Sequence, residues 1–216
     1  TSELSIMQAR KEINLFAERI RRMYGMVGDL LHTTNENDFN KLFSRIEKYE
    51  NISDSMEIEI ANYLNSVSEG RLSSDSKLEI RGMLREVTEI ESIGDSCYNL
   101  ARTINRRRAG GKDFTEKQYE HIHQMMKLTD NALEHMIALV EDEYHVVDVN
   151  KSFNIENEIN NYRAQLKNQN VVDVNNKEYD YQMGVHYMDI IGECEKLADY
   201  VVNVVEARTN VKEKKA

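Results

Sequence analysis

Proline is absent from all 216 residues. At an average usage of ~5%, about eleven would be expected. Glycine is scarce as well, at nine residues. Sandwiches and barrels need turn residues every few positions, so strand-rich folds are excluded and long helices remain. The two cysteines, Cys97 and Cys194, form no CxxC pair and are too few for a disulfide framework, which points to a reducing, intracellular setting. No apolar run approaches the ~20 residues that a membrane span requires. Basic residues number 28 against 38 acidic, a net charge of −10. A chain of that sign repels phosphate backbones, so nucleic acid is not an expected partner. There is no GxGxxG, no P-loop and no Ser/His/Asp order tied to a turn motif, which leaves nucleotide binding and hydrolysis unsupported. Thr1 stands where an initiator methionine would, with no signal peptide, and the expectation is a piece of a longer protein.

Apolar residues recur at three- and four-residue spacing in six long stretches. The first covers 3–32, with Ser2 as its cap and Ile6, Ile13, Phe16, Ile20, Met23, Val27 and Leu30 on one stripe. The others are expected at 38–68, 74–108, 115–143, 152–169 and 176–208, and a polar, frayed tail at 210–216. Gly110-Gly111 marks the clearest linker, at the midpoint. Solenoid repeats fit two helices into roughly 34–47 residues, and these elements are too long for that. The expected fold is all-α: six long helices as two tandem up-down three-helix bundles, 1–109 and 112–209.

The two halves resemble each other internally. Residues 89–100, Glu-Ile-Glu-Ser-Ile-Gly-Asp-Ser-Cys-Tyr-Asn-Leu, return 104 positions later as residues 193–204, Glu-Cys-Glu-Lys-Leu-Ala-Asp-Tyr-Val-Val-Asn-Val. Two glutamates, the aspartate and the asparagine keep register, and the small Gly94 matches the small Ala198. On the preceding helices, Glu50-xxx-Asp54 sits opposite Glu156-xxx-Asn160. Acid-xxx-acid pairs alone mean little, because this composition produces about seven by chance. Four identities in register on corresponding helices mean more.

Spacing of i and i+4 places side chains on one helix face. Glu91, Asp95 and Asn99 therefore form a ladder of oxygen ligands, and Gly94 or Ala198 lets another helix approach beside it. With Glu50 and Asp54 facing that ladder, four carboxylates converge, and like charges so close need protons, water or cations between them. An oxygen-only cluster suits hard or borderline divalent and trivalent metals. Solvated helix faces with ordinary charge pairing, on a metal-free scaffold or interaction module, are the alternative.

Glu-x-[Ile/Leu]-small-Asp-xxx-Asn-aliphatic, twice in a six-helix chain, resembles the PhoU family of phosphate-signalling proteins. Its E(D)xxxD signature matches Glu50/Asp54, Glu91/Asp95 and Glu195/Asp199. Residues 43–50 and 91–102 look most like the cytoplasmic C-terminal PhoU domain of bacterial sodium/phosphate cotransporters. The resemblance implies multinuclear metal clusters, usually iron or zinc, on the acidic face of each bundle. It also implies a non-enzymatic regulatory role in phosphate uptake. Expected partners are a phosphate transporter's membrane domain or other phosphate-signalling proteins, with a homo-oligomer as a further expectation, at the cytoplasmic face of the membrane. The metal set carried over is Glu50, Asp54, Glu91, Asp95 and Asn99, and in the second half Glu156, Glu195, Asp199 and Asn203. The family's arginine after the motif glutamate is Ser92 in the first half, while Lys196 keeps the charge in the second. Asn160 stands where an aspartate belongs, so the second cluster is expected to bind more weakly.

A di-iron enzyme needs two Glu-xx-His pairs on separate helices. Glu120 and His123 supply one; the nearest others, Asp29 with His32 and Asp142 with His145, begin with aspartate. Arg106, Arg107, Arg108 and Lys112 close the third helix, where cations favour the last carbonyls, with anionic lipid or a transporter loop as the sharper alternative. Lys212, Lys214 and Lys215 read as solvated, the two cysteines as buried, and the ten methionines mostly as core.

Overall fold

The structure, a computed structural model, describes residues 1–142 and 147–215, with side chains through residue 209. It is all-helical among those residues: α1 (Ser2–His32), α2 (Glu36–Ser68), α3 (Ser74–Ala109), α4 (Glu116–Val140), α5 (Asn150–Asn175) and α6 (Tyr181–Lys215). Side chains cap the N-terminal ends of α1, α2 and α3: Thr1, in place of the expected Ser2, which opens the helix itself, then Asn35 and Ser73. Thr115 and Gln118 form a reciprocal capping box on α4. Gly111 takes φ 76 in the α3–α4 linker, a left-handed conformation that glycine adopts without steric cost.

Three boundaries differ from the sequence expectation by more than three residues. The fifth helix does not stop at Gln169 but runs on to Asn175, and α6 starts at Tyr181 instead of Asn176. Tertiary contact carries it: Tyr179 donates to Asn170 Oδ1 at 2.6 Å, and the Val174 side chain packs over Gly184. The chain then reverses through Lys177 at φ 61, and the Asp180 side chain accepts from Met183 N to start α6. The third difference is the expected frayed tail, which continues α6 to Lys215; its Lys and Glu residues are good helix formers. Ala216, and His145 and Glu143 from the fourth-helix expectation, lie outside the described residues.

Helices α1, α2 and α3 pack on one another, as do α4, α5 and α6, while α3 against α6 and α1 against α4 join the halves. The α3–α6 pair is antiparallel, since Asn99 meets Glu193 and Asn203 meets Glu89. One apolar core runs through both halves, from Ile13, Phe16 and Ile20 across Ile93 and Leu100 to Leu197 and Val204. Each such side chain contributes roughly 1.5–3 kcal/mol on burial. Polar ties cross the same seam: Arg21 donates twice to Asp130, and Tyr24 Oη donates to Met126 O. Among the described residues, helix α2 touches only the helices α1 and α3, and α5 only α4 and α6, so these two are the outer helices. No helix among the described residues is long and apolar enough to cross a membrane.

Candidate metal centre

Glu50 and Asp54 lie one turn apart on α2, and Glu91 and Asp95 one turn apart on α3. Packing of α2 on α3 brings the four together, with one carboxylate oxygen of each within 4.8 Å of all the others. Gly94 lies beside the cluster. A Cβ there would stand 3.0 Å from Ile20 Cδ1, so glycine is what lets Ile20 of α1 pack close on α3, while Glu50 Oε2 at 3.6 Å would be in ordinary contact.

Glu50 is only 9% exposed, and its Oε2 is buried with no hydrogen-bond partner. A buried carboxylate oxygen without a donor costs free energy unless a proton or a cation meets it. Burial first, then contact with Asp95 and the charges of Asp95 and Asp54, pushes the Glu50 carboxyl up to about 9. Burial, contact with Asp54 and Asp95, and the charges of Asp95 and Glu57 push Glu91 up to about 10. Glu57, one turn beyond Asp54, is raised by burial and by the charges of Asp54 and Asp95. The neighbours acting on these three groups raise them, and no basic side chain among the described residues acts on any of them. Glu57 was not singled out from the sequence, although its spacing of i+3 from Asp54 and i+7 from Glu50 keeps it on their face.

The second half differs. Among the described residues the first group is the only set of His, Cys, Asp or Glu ligand atoms so converged, so Glu156, Glu195 and Asp199 are not brought together in that way. Burial, contact with Asp199, and the charges of Asp199, Glu206 and Glu195 raise Glu156 to about 7. Glu195 is raised by burial and Asp199 but pulled down by Arg163 and Lys167. Arg163 Nε stands 3.4 Å from Glu195 Oε1.

Asn99 and Asn203, carried over as ladder ligands, have a shared structural partnership. The Asn99 amide donates to Glu193 Oε1 at 3.2 Å, and the Asn203 amide donates to Glu89 Oε2 at 3.1 Å. The outer glutamate and the asparagine of each motif thus bind the other copy, making a reciprocal pair across the α3–α6 seam. Ser92, in place of the family's arginine, donates back to Thr88 O.

The remaining features have local partners. His123 Nε2 lies 2.6 Å from His32 Nε2 on the surface, and His121 Nδ1 lies 2.9 Å from Tyr187 Oη. Arg108 donates to Thr33 O and Thr34 O and covers the Phe39 ring, while Arg107 pairs with Asp113 and Arg106 donates to Thr103. The arginine run therefore fastens helix ends together. Cys97 and Cys194 are buried free thiols.

The PhoU domain family matches residues 13–104 and 122–207. No curated protein sequence matches the chain. Among solved structures, the chain is similar to the phosphate transport system regulatory protein PhoU from Streptococcus pneumoniae, with a TM-score of 0.82 and 15% identity over 99% of this chain and 98% of that one. It is also similar to PhoU from Pseudomonas aeruginosa, with a TM-score of 0.88 and 10% identity over 99% of this chain and 100% of that one. At these identities the likeness is one of fold.

Proposed function

The chain belongs to the PhoU family, and from that premise we propose that it is a metal-binding regulator of phosphate transport that turns over no substrate. The observation that carries the metal is Glu50: a carboxylate oxygen buried without a partner, among three further carboxylates and with no basic group among the described residues acting on it. The donor set is all oxygen, which fits hard or borderline metals such as iron, zinc or manganese. Glu50 and Asp54 would hold the metal from α2, and Glu91 and Asp95 from α3, with Glu57 close enough to add charge. A bound cation supplies the positive charge that these side chains lack. The chain's own contribution is to present the four carboxylates already gathered, on an outer helix and a central one. That makes the α2–α3 face the part of the molecule that differs between the loaded and the empty state.

The finer reading places this regulator at the cytoplasmic face of the membrane, acting on the membrane domain of a sodium/phosphate cotransporter. Its support is the wording of residues 43–50 and 91–102, which resembles the C-terminal domain of such transporters. The Streptococcus pneumoniae neighbour carries the words phosphate transport system regulatory protein, which fits a regulator whether it is attached to its transporter or separate.

The test is elemental analysis of protein purified without chelator, together with thermal melts with and without Fe, Zn or Mn. Wild type is expected to hold metal and to melt higher with it, because a ligand that binds only the native state stabilises it. Asp95→Asn is expected to lose both effects. Equal melting temperatures in all conditions, with no metal found, would leave a metal-free scaffold as the better reading.

A further inference from the structure

We infer that the second repeat supplies its own cation: the Arg163 guanidinium, lying against Glu195, takes the place on the α5–α6 acidic face that the α2–α3 face leaves open for a metal. The inference rests on the metal reading of the first cluster. It assigns the chain one metal centre and one permanent organic counter-ion in equivalent places.

Register carries the argument. On the outer helices a shift of 106 residues maps Glu50 onto Glu156, Asp54 onto Asn160 and Glu57 onto Arg163. On the central helices the shift of 104 maps Glu91 onto Glu195 and Asp95 onto Asp199. The first face therefore gathers five acids, Glu50, Asp54, Glu57, Glu91 and Asp95, and no base acts on its glutamates. The second keeps three acids, replaces one by a neutral amide, and turns the fifth position from an acid into an arginine. Geometry agrees with register: Arg163 Nε reaches 3.4 Å from Glu195 Oε1, the partner of the first cluster's Glu91. Gly192 stands where the first repeat has Thr88, and a Cβ on it would already meet Arg163 Nε at 3.9 Å. The arginine therefore lies along the α6 surface beside Gly192. Lys167, one turn further along α5, acts on Glu195 in the same sense.

The chemistry explains why the exchange excludes a metal. Guanidinium stays protonated at any pH a protein tolerates, so its charge cannot be titrated away to admit a cation. A metal arriving at Glu156, Glu195 and Asp199 would have to displace Arg163, and it would find an amide where the first site offers the carboxylate of Asp54. The first face is charged only when it has lost its protons and needs an external ion; the second meets Glu195 with a cation of its own.

Two measurements test this, one of them independent of metal. In chelator, Arg163→Gln is expected to melt about 2–4 °C below wild type, with the helical CD signal retained, and Arg163→Lys to recover most of the loss. No loss for Arg163→Gln would overturn the inference, because the guanidinium would then neutralise nothing. The second is metal per chain by native mass spectrometry with Zn and Mn. Wild type is expected to carry metal that Asp95→Asn removes and Asp199→Asn leaves in place. The double change Asn160→Asp with Arg163→Glu is expected to add a second load, which survives Asp95→Asn. Metal that persists in Asp95→Asn and is lost with Asp199→Asn would overturn the inference while the metal reading stands. Absence of metal from every variant would overturn the metal reading and this inference with it, and the chelated melts would still report on Arg163 as a counter-ion.

Discussion

At the scale of single residues, the acidic cluster holds groups whose charged forms the native state disfavours. Glu50 and Glu91 are raised to about 9 and about 10, from 4.5. The unfolded chain releases these protons first, so the stabilising contribution of the protonated forms is full below about pH 4.5 and is lost as pH rises towards 9 or 10. Metal-free wild type should therefore lose stability between pH 5.5 and pH 8.5, and Glu50→Gln should flatten that fall because its amide has no proton to lose. His123, lowered by burial and by His32, runs the other way and loses stability as pH falls through about 6.5. The difference between wild type and Glu50→Gln in chelator isolates the carboxylate. A wild-type melt that falls no more steeply with pH than that of Glu50→Gln would show that the four carboxylates are not in conflict.

Elements explain which sequence readings survived contact with the fold. The six helices were legible because the apolar residues recur at helical spacing and the breaks carry Asn, Ser and Gly. The E-xxx-D pairs were legible because i and i+4 share a face. Asn99 was harder: at 100° per residue it sits about 80° round the helix from Glu91, far enough to turn its amide to α6. Spacing along one helix does not say which neighbour lies beyond each face, and that is why the Glu–Asn pairing across the seam could not be read in advance. Arg163 was visible only once the halves were aligned helix by helix, since α5 follows a 106-residue shift and α6 a 104-residue one. The extended end of α5 depends on a contact distant in sequence, Val174 on Gly184. Gly184→Ala tests it. The added Cβ would meet Val174 Cγ2 at 2.9 Å and Asn170 Oδ1 at 3.1 Å. Overpacking of about 1–3 kcal/mol exceeds the roughly 1 kcal/mol that alanine gains over glycine in a helix. The expected result is a melting temperature lower by about 2–4 °C. Gly25→Ala in α1, where nothing lies within 4 Å of the new Cβ, should stabilise instead. Equal effects from both would show that α5 does not depend on close approach at Gly184.

The whole molecule reads as two similar halves in sequence, yet its core is shared. Ile93, Cys97 and Leu100 of α3 belong to the same apolar cluster as Cys194, Leu197 and Val201 of α6. The Asn99–Glu193 and Asn203–Glu89 pairs are made only when both halves are present. Separating the halves would expose an apolar face on each central helix and leave two half-buried glutamates without their amide donors, a combined cost that neither three-helix unit could recover alone. The chain should therefore unfold as one cooperative unit despite the clear linker at Gly110-Gly111. Calorimetry of the chelated protein is expected to show a single transition whose calorimetric and van't Hoff enthalpies agree. Adding metal, which the first half alone is proposed to hold, should move that one transition upward without splitting it, because stabilising α2 against α3 stabilises the only folded state available to both halves. Two separable transitions, or a metal-shifted peak beside an unshifted one, would show that the repeats are independent domains and that the α3–α6 seam is an interface between them.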